Sequence, residues 1–413
     1  MKFLRCAIFL YIGKAMADRR IEGIVEKLVP GGDGLVRSNR GVVFVPGVLP
    51  GERVLYDVVE RRKGWARAVL AEIVEPSSAR RTPFCSLFGR CGGCRWQHMD
   101  EEAQRDAKAS FVREALVRQG GWEETDVPDF FLIPSRPESY RSRIRPIVLP
   151  DGSAAFREAS TDRPVRVDRC PVAVEGLNRF LERPPEDLSP GDEPVVFGDT
   201  ESYWAEGIHP EARAEVGGKI FRFPPGVFFQ SNLGPLPAMI EFALGGPGNA
   251  RGGSDAVSDF SPVDRSPSVA LDLYGGVGLF GAFLADRYGS VIGVDRDEAA
   301  GPAWLRHVGP RGEFHALSLE AWTDSAKRPV PDMVVVDPPR TGLAAPVRRV
   351  LAEMRAPRIS YVSCDPVTQA RDLKDLRAAG YELEAFAVAD LYPQTAHVET
   401  VARLRYAGKE KAR

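Results

Sequence analysis

Residues 359–366 read Ile-Ser-Tyr-Val-Ser-Cys-Asp-Pro, a short apolar run that stops abruptly at a Ser-Cys-Asp-Pro turn. A buried parallel strand has this appearance when it ends at the carboxyl edge of an α/β sheet, where ligands bind. The stretch therefore predicts a strand that carries Cys364 to that edge. Taken alone, Cys364 would be an inert core residue, because a free cysteine packs like a small hydrophobe. The neighbouring segments decide between these two interpretations.

The chain from residue 269 onward alternates strands and helices. Residues 269–280 read VALDLYGGVGLF, a buried strand followed by a glycine-rich turn and a helix start. A second strand ends in Asp295, about 20 residues further on, where an acid would grip a ribose diol. The glycines do not match the pyrophosphate-binding G-x-G-x-x-G, and the chain has no G-x-x-x-x-G-K-[ST]. This pattern favours S-adenosylmethionine, which contains a ribose but no phosphate.

A further strand, residues 332–337, ends in Asp337 and is followed by Pro-Pro-Arg. The two prolines fix the backbone just past the sheet edge, so they hold Asp337 at the ligand crevice. A related Asp/Asn-Pro-Pro-Tyr turn occurs in enzymes that methylate exocyclic amines, where the aromatic residue stacks on the flipped base. Because Arg340 replaces that aromatic residue, amine methylation is disfavoured.

Carbon methylation fits the remaining residues better. Uracil C5 is a poor nucleophile, but a thiolate that adds to C6 turns C5 into an enolate carbon able to attack a sulfonium methyl group. Cys364 would supply that thiolate. A base must then remove the C5 proton, and Glu399, at the start of a late strand, is a plausible base. Taken alone, Glu399 would be a surface glutamate.

Four cysteines form a separate group. Cys85, Cys91 and Cys94 are spaced C-x5-C-G-G-C, and Cys170 follows after a long interval. Four thiolates can close the shell of a zinc ion or a [4Fe-4S] cluster, and the spacing does not separate the two. Disulfides are the alternative.

Turn signals and composition divide the chain into five segments. Residues 1–19 imitate a short signal peptide, but a disordered extension or a start codon called too early explains them more simply. Residues 20–76 contain five short strands between Gly/Pro turns, which predicts a small barrel of OB type, a fold often used on oligonucleotides. Residues 77–244 form a strand-rich central domain with a helix at 101–119, residues 245–268 form a flexible loop, and residues 269–413 form the α/β domain.

Composition bounds the partners. The chain has 413 residues, 44% hydrophobic and 27% charged, with a net charge of −2, so RNA binding would depend on local basic patches. Two basic runs supply the candidates for phosphate contacts: Arg61, Arg62, Arg141, Arg143 and Arg145. No stretch is apolar enough to span a bilayer, so the protein is expected to be cytoplasmic, without a membrane partner, and monomeric.

Taken in order, these motifs resemble the RNA uracil-C5 methyltransferase family over roughly residues 20–406. The shared set is C-x5-C-G-G-C, Phe-Phe-Gln-x-Asn, Asp-Leu-Tyr-Gly-Gly-Val-Gly, Asp-Pro-Pro-Arg-x-Gly, Ser-Cys-Asp-Pro and His-Val-Glu. The resemblance implies an N-terminal TRAM β-barrel that binds RNA, a central iron–sulfur domain and a C-terminal Rossmann-like methyltransferase domain. It also implies that the four cysteines hold a [4Fe-4S] cluster rather than zinc.

The resemblance assigns roles to single residues. Cys364 is the nucleophile and Glu399 the base, while the cofactor and base pocket is lined by Gln230, Tyr274, Asp295 and Asp337. A TRAM domain together with the cluster looks like the members that act on 23S ribosomal RNA. A tRNA substrate is the alternative, and a non-catalytic RNA-binding or assembly protein on the same scaffold is the alternative of a different class.

Three positions depart from the family pattern. Gly275 stands where the family usually has Cys, and Leu279 where it often has Asn, so a cofactor contact is in doubt. Asp365 stands in the nucleophile turn where Asn is commoner, and its charge would disfavour the neighbouring thiolate. None of these changes removes a group that performs chemistry.

Overall fold

A computed structural model describes residues 20–245, 268–324 and 329–408. The predictions of a disordered extension at 1–19 and of a flexible loop within 245–268 therefore lie outside the described residues, apart from the two loop ends. No helix in the described ranges is long and apolar enough to cross a membrane.

Residues 21–75 form the predicted five-stranded barrel. The strands are β1 (Ile21–Leu28), β2 (Gly34–Ser38), β3 (Gly41–Val45), β4 (Arg53–Arg62) and β5 (Trp65–Glu75). They close in the order β1-β2-β3-β5-β4, and only β3 and β5 run parallel. Closure removes sheet edges, and the interior is filled by side chains that alternate inward, among them Val36, Val54 and Tyr56.

Residues 101–243 supply three α-helices and nine short strands. The helices are α1 (Glu101–Arg118), α2 (Glu175–Glu182) and α3 (Leu236–Ala243), and the strands are β6 (Phe131–Ile133), β7 (Arg143–Ile144), β8 (Ile147–Val148), β9 (Ala154–Arg157), β10 (Pro164–Arg166), β11 (Val196–Gly198), β12 (Tyr203–Ala205), β13 (Ala212–Val216) and β14 (Lys219–Phe223). The helix predicted at 101–119 is confirmed. It begins where the Asp100 carboxylate accepts a hydrogen bond from Ala103 N at 2.8 Å.

The seven remaining strands build one eight-stranded sheet together with β6. They are β15 (Val269–Leu273), β16 (Ser290–Asp295), β17 (Gly312–Ala316), β18 (Met333–Val336), β19 (Arg358–Ser363), β20 (Tyr381–Ala389) and β21 (Glu399–Tyr406), with helices α4 (Leu279–Leu284), α5 (Gly301–Val308), α6 (Leu319–Thr323), α7 (Ala345–Met354) and α8 (Pro366–Ala378). The order is β17-β16-β15-β18-β19-β21-β20-β6. Strands β15 to β19 are parallel to one another, whereas β21 is antiparallel to both of its neighbours.

Both faces of this sheet are buried. Ala270 and Val335 pack into one hydrophobic cluster, while the adjacent Leu271 and Val334 pack into another on the opposite face. This explains why the strands read as continuous apolar runs rather than alternating ones.

The predicted central segment, residues 77–244, does not stand apart from the α/β domain. Strand β6 pairs in parallel with β20 and forms the edge of the large sheet, because the outer backbone groups of β20 need a partner. Helix α1 packs against α8, and α3 packs against β19 to β21. The two segments thus share a hydrophobic core, in which the Phe131 and Phe242 rings stack.

Candidate active site

Four predicted site residues follow the carboxyl ends of parallel strands. Tyr274 follows β15, Asp295 ends β16, Asp337 follows β18 and Cys364 follows β19. The strands pair in register, so these ends share one edge of the sheet. This is the ligand-binding edge of an open α/β sheet, as the sequence predicts.

Glu399 reaches the same edge from the opposite direction. Strand β21 begins at this residue and runs antiparallel to β19, with Ser363 paired to Thr400. The register therefore places Glu399 beside Cys364. The Thr400 hydroxyl donates to Ser363 O at 2.9 Å, which fastens the two strand ends together.

The glycine-rich turn after β15 has the backbone of a ligand cradle. Tyr274, Gly276 and Gly278 have positive φ angles of 59°, 50° and 89°. Such angles suit glycine but strain a tyrosine, so the surrounding structure must fix the backbone at Tyr274. The Asp295 carboxylate accepts a hydrogen bond from Gly276 N at 2.8 Å and ties the turn to β16.

A buried tryptophan explains the glycine at position 275. The Trp304 indole N–H donates to the Asp272 carboxylate at 2.9 Å, directly beneath the turn. A Cβ on Gly275 would lie 2.9 Å from both the indole nitrogen and an Asp272 oxygen. Gly281 and Gly293 are crowded by the same indole ring. The absence of a larger residue at position 275 is therefore a packing requirement of this chain.

The nucleophile candidate is a neutral thiol in this environment. Burial, together with the nearby carboxylates of Glu399 and Asp337, raises the pKa of Cys364 to about 12, while Arg340 opposes them. Asp365, expected to disfavour the thiolate, instead caps α8 by accepting from Val367 N and Thr368 N. The charges that act on Cys364 thus come from adjacent strands rather than from its own turn.

Three carboxyl groups at this edge share the same tendency to stay protonated. Burial, together with the charge of Asp295, raises the pKa of Asp272 and of Asp337 to about 7. Burial together with Asp337 raises the pKa of Glu399 well above its usual value. The edge therefore concentrates acids, with Arg340 as the cation that acts on Cys364 and Glu399.

This arrangement suits a cationic ligand and a reacting base together. A positive group beside Asp337 would relieve the repulsion among the carboxylates. The thiol of Cys364 and the carboxyl of Glu399 would then face one substrate from neighbouring strands.

Comparison with known proteins agrees with this geometry. Residues 327–406 match the family model described as tRNA (uracil-5-)-methyltransferase. The 23S rRNA (uracil(1939)-C(5))-methyltransferase RlmD of Halomonas elongata is 31% identical across 95% of this chain and 91% of its own. The chain belongs to the RNA uracil-C5 methyltransferase family. The motif-based prediction of an S-adenosylmethionine-dependent RNA uracil-C5 methyltransferase is thereby confirmed.

Two further similarities cover nearly all of this methyltransferase. The RlmD of Alkalilimnicola ehrlichii is 31% identical over 90% of this chain and 93% of its own. The Pyrococcus abyssi tRNA (uracil-54, C5)-methyltransferase, solved with S-adenosyl-L-homocysteine, superposes with a TM-score of 0.67 at 26% identity and covers 93% of this chain and 99% of its own.

The four cysteines of the methyltransferase form a second, half-buried region. Their thiols are free of disulfides, and neighbouring thiols contribute to the raised pKa values of Cys91, Cys94 and Cys170. Burial raises the pKa of Cys94 to about 11, whereas the Arg141 guanidinium lowers the pKa of three of the thiols, those of Cys91, Cys94 and Cys170. The disulfide alternative is thus not what the structure has at these positions.

A metal shell is not closed in this region. Across the ranges that the structure describes, no three His, Cys, Asp or Glu side chains lie close enough to hold a metal ion. The donor set itself fits a thiolate-bound, anionic group, because Arg141 supplies positive charge and Gly93 N donates to Cys91 Sγ at 3.4 Å.

The predicted phosphate contact at Arg141 stays a prediction. Arg141 is partly buried: its backbone pairs with Ala173 and Asn232, and its guanidinium acts on the cysteine thiols. Arg143 is also partly buried, and its guanidinium lies 5.6 Å from the Phe228 ring centroid. Arg61, Arg62 and Arg145 are exposed and stay candidates for phosphate contacts.

The Phe-Phe-Gln-x-Asn motif divides into two roles. Gln230 is buried, and its place in the pocket stays a prediction. Asn232 is structural: its amide donates to Leu391 O at 2.9 Å, and its oxygen accepts from Gly234 N at 3.2 Å.

Sequence reasoning missed three residues at or below the site. Asp272 and Trp304 form the buried pair beneath the glycine turn. Tyr392 lies close enough to Glu399 and Cys364 for both to raise its pKa. An acid inside a buried strand was a signal for Asp272, since a lone buried carboxyl needs a partner; nothing local signalled Tyr392.

Proposed function

We propose that this enzyme methylates C5 of a uridine in 23S ribosomal RNA through a covalent bond between Cys364 and C6 of the base. The observation that carries the proposal is the meeting of Cys364, Glu399 and Asp337 at one sheet edge, where their charges act on one another. The relatives named RlmD favour ribosomal RNA as the substrate class.

Cys364 begins the reaction as the nucleophile. The thiol first loses its proton to solvent; the thiolate sulfur then bonds to uracil C6, and the electrons of the C5–C6 double bond move to C5 and the carbonyl oxygen. The high thiol pKa means that free enzyme holds little thiolate, which limits side reactions of the thiol. Arg340 is the cation that favours the thiolate at this place.

S-Adenosylmethionine supplies an electrophilic methyl group on a positively charged sulfur. Asp295 and Tyr274, at the glycine turn, would hold its nucleoside part, and Asp337 would face the sulfonium from the neighbouring strand. Gln230 is proposed for the base pocket. The acidic edge fits such a cation, because burial and the neighbouring Asp295 raise the pKa values of Asp272 and Asp337 and a positive charge would stabilise their ionised forms.

Glu399 completes the reaction as the base. It removes the C5 proton, the electrons reform the C5–C6 double bond, and the Cys364 sulfur leaves C6 as a thiolate. This step needs Glu399 as a carboxylate, which Arg340 favours by lowering its pKa, and burial makes that carboxylate a stronger base than an exposed one.

We further propose that Cys85, Cys91, Cys94 and Cys170 hold a [4Fe-4S] cluster. The support is the set of four thiols, the cation at Arg141 and the family resemblance. All four ligands would be cysteine, so the cluster would have a structural or RNA-positioning role rather than a place in the methyl transfer.

A tRNA substrate is the second candidate, because the superposed Pyrococcus abyssi enzyme is named for tRNA uracil-54. Unmodified 23S rRNA and tRNA transcripts, incubated separately with enzyme and methyl-labelled S-adenosylmethionine, distinguish the two. We expect labelled 5-methyluridine in the digested rRNA and none with Cys364→Ala. Label in tRNA alone would replace the rRNA proposal, and no label in either would contradict both.

A further inference from the structure

Residues 390–398 form the segment that delivers Glu399 to the active site, and we name it the base loop. It joins the end of β20 at Ala389 to the start of β21 at Glu399. Two of its side chains, Tyr392 and His397, border the site: Tyr392 is near Cys364, and the Arg340 guanidinium lies 3.3 Å from His397 Nδ1. The position of this loop therefore sets the position of the proposed base.

The first cysteine segment, residues 85–96, holds the base loop through its backbone N–H groups. Arg95 N and Trp96 N, directly after Cys94, both donate to Gln394 O at 2.9 Å. Two donors on one carbonyl leave Gln394 little freedom to move. The base loop is thus anchored by the residue that directly follows Cys94.

A reciprocal amide pair strengthens this anchor. The Gln104 side chain, from α1, donates to Gln394 Oε1 at 3.0 Å and accepts from Gln394 N at 2.8 Å. Both glutamines are fully buried. Gln394 also has a positive φ of 67°, a conformation that a non-glycine residue keeps only where its surroundings fix it. The strain at this turn is therefore maintained by Gln104 and the cysteine segment.

The second cysteine segment, residues 170–172, is linked to the same loop through Tyr140. The backbone N–H groups of Tyr140 and Arg141 both donate to Val172 O, two residues after Cys170. The Tyr140 hydroxyl then donates to Pro393 O at 2.8 Å. Both cysteine segments consequently converge on adjacent carbonyls of the base loop, those of Pro393 and Gln394.

A buried ion pair fixes the start of the loop. The Lys108 ammonium, also from α1, donates to the Asp390 carboxylate at 2.5 Å and to Tyr392 O at 3.0 Å. Lys108 is only 1% exposed, so breaking this pair would leave a buried charge without compensation. The loop is held at residues 390, 392, 393 and 394 before it reaches the base.

The Gln104 amide also donates to Trp96 O at 3.1 Å, which ties it to the first cysteine segment. We infer that Gln104 and Tyr140 are positioning residues through which the two cysteine segments set the place of Glu399. This inference rests on the proposed function, because it concerns the step in which Glu399 removes the C5 proton. Cys364 is attached to β19 instead, and none of these loop contacts involves it. Loosening the base loop should therefore slow elimination while the sulfur–C6 bond and the methyl transfer still form.

The test follows a labelled RNA fragment on denaturing gels after reaction with S-adenosylmethionine. Gln104→Leu keeps a side chain of similar size but removes the amide pair, and Tyr140→Phe removes only the hydroxyl. A 1 Å displacement of a catalytic group can cost on the order of 10²-fold in rate, so we expect a loss of that order for Gln104→Leu and of about tenfold for Tyr140→Phe. In both variants a methylated protein–RNA adduct should persist, while RNA affinity stays close to that of the wild type.

Two controls separate the inference from the proposed function. Glu114→Gln, on the same helix α1, removes an ion pair of 2.6 Å with Lys27 and should leave both turnover and adduct unchanged. Glu399→Gln should trap the adduct fully; without adduct there, the proposed mechanism fails. The inference is wrong if Glu399→Gln traps adduct while folded Gln104→Leu and Tyr140→Phe lose turnover without accumulating adduct. It is also wrong if these two variants turn over normally.

Discussion

The carboxyl edge and the cysteine region both bury ionisable groups, but they differ in the charge already present. At the edge, Asp272, Asp337 and Glu399 have raised pKa values. Of these three carboxyl groups, only Glu399 has its pKa lowered by the exposed Arg340. In the cysteine region, the partly buried Arg141 faces the thiols. The first region therefore needs a positive ligand, and the second is prepared for a negative one. The difference supports a sulfonium cofactor at the edge and a thiolate cluster in the other region.

The largest expected effect separates the two regions completely. Cys94→Ser should remove a cluster ligand and take iron content from about four per chain to near zero, measured on anaerobically purified protein. Cys364→Ala, in the other region, should keep its iron and its brown colour while losing methylation. Stoichiometric zinc without iron in the wild type would refute the cluster and leave the cysteine region as a zinc site.

A smaller effect tests the charge of the ligand at the carboxyl edge. Asp337→Asn keeps the shape of the side chain but removes its charge, so affinity for S-adenosylmethionine should fall on the order of 10²-fold, by about 3 kcal/mol. Affinity for S-adenosylhomocysteine, which lacks the sulfonium charge, should change much less. Calorimetry with both ligands measures the difference, with Asp297→Asn as the control at an exposed turn. Equal losses for the two ligands would mean that Asp337 does not face the sulfonium.

The smallest effect concerns pH and the buried carboxyl of Asp272. Its pKa is raised to about 7, so the native state holds this proton more strongly than the unfolded chain does. The stability it contributes is complete below about pH 4 and is lost as the pH rises to 7. Between pH 5 and pH 8 the unfolding free energy should therefore fall by about 2 to 3 kcal/mol more in the wild type than in Asp272→Asn. Denaturant titrations at both pH values measure this, and Asp324→Asn, exposed, should behave like the wild type. Equal pH slopes in wild type and Asp272→Asn would show that Asp272 does not hold its proton.

The strands that carry the site were predictable because their signals are local. Residues 269–273, 290–295 and 359–363 are apolar runs that end at polar turns, and the structure has strands at those places. The short barrel strands were marked by glycine and proline turns in the same way.

Other parts of the site could not be predicted, because they depend on contacts between distant segments. Arg141 lies in a basic run that looks solvent-exposed, yet pairing with Ala173 and Asn232 turns it inward. Strand β6 has three residues, and its place at the sheet edge is decided by β20 far along the chain. Gln104 gives no local signal, since its partner Gln394 is identified only by the folded structure.

In the proposed mechanism, Cys364 and Glu399 act on the same uracil at successive steps. Its most direct test is the mass of the species that survives denaturation when Glu399→Gln reacts with a short RNA substrate and S-adenosylmethionine. We expect protein bonded at Cys364 to RNA that carries one extra methyl group, and no such species with Cys364→Ala. Normal turnover by Glu399→Gln, or methylation by Cys364→Ala, would contradict it.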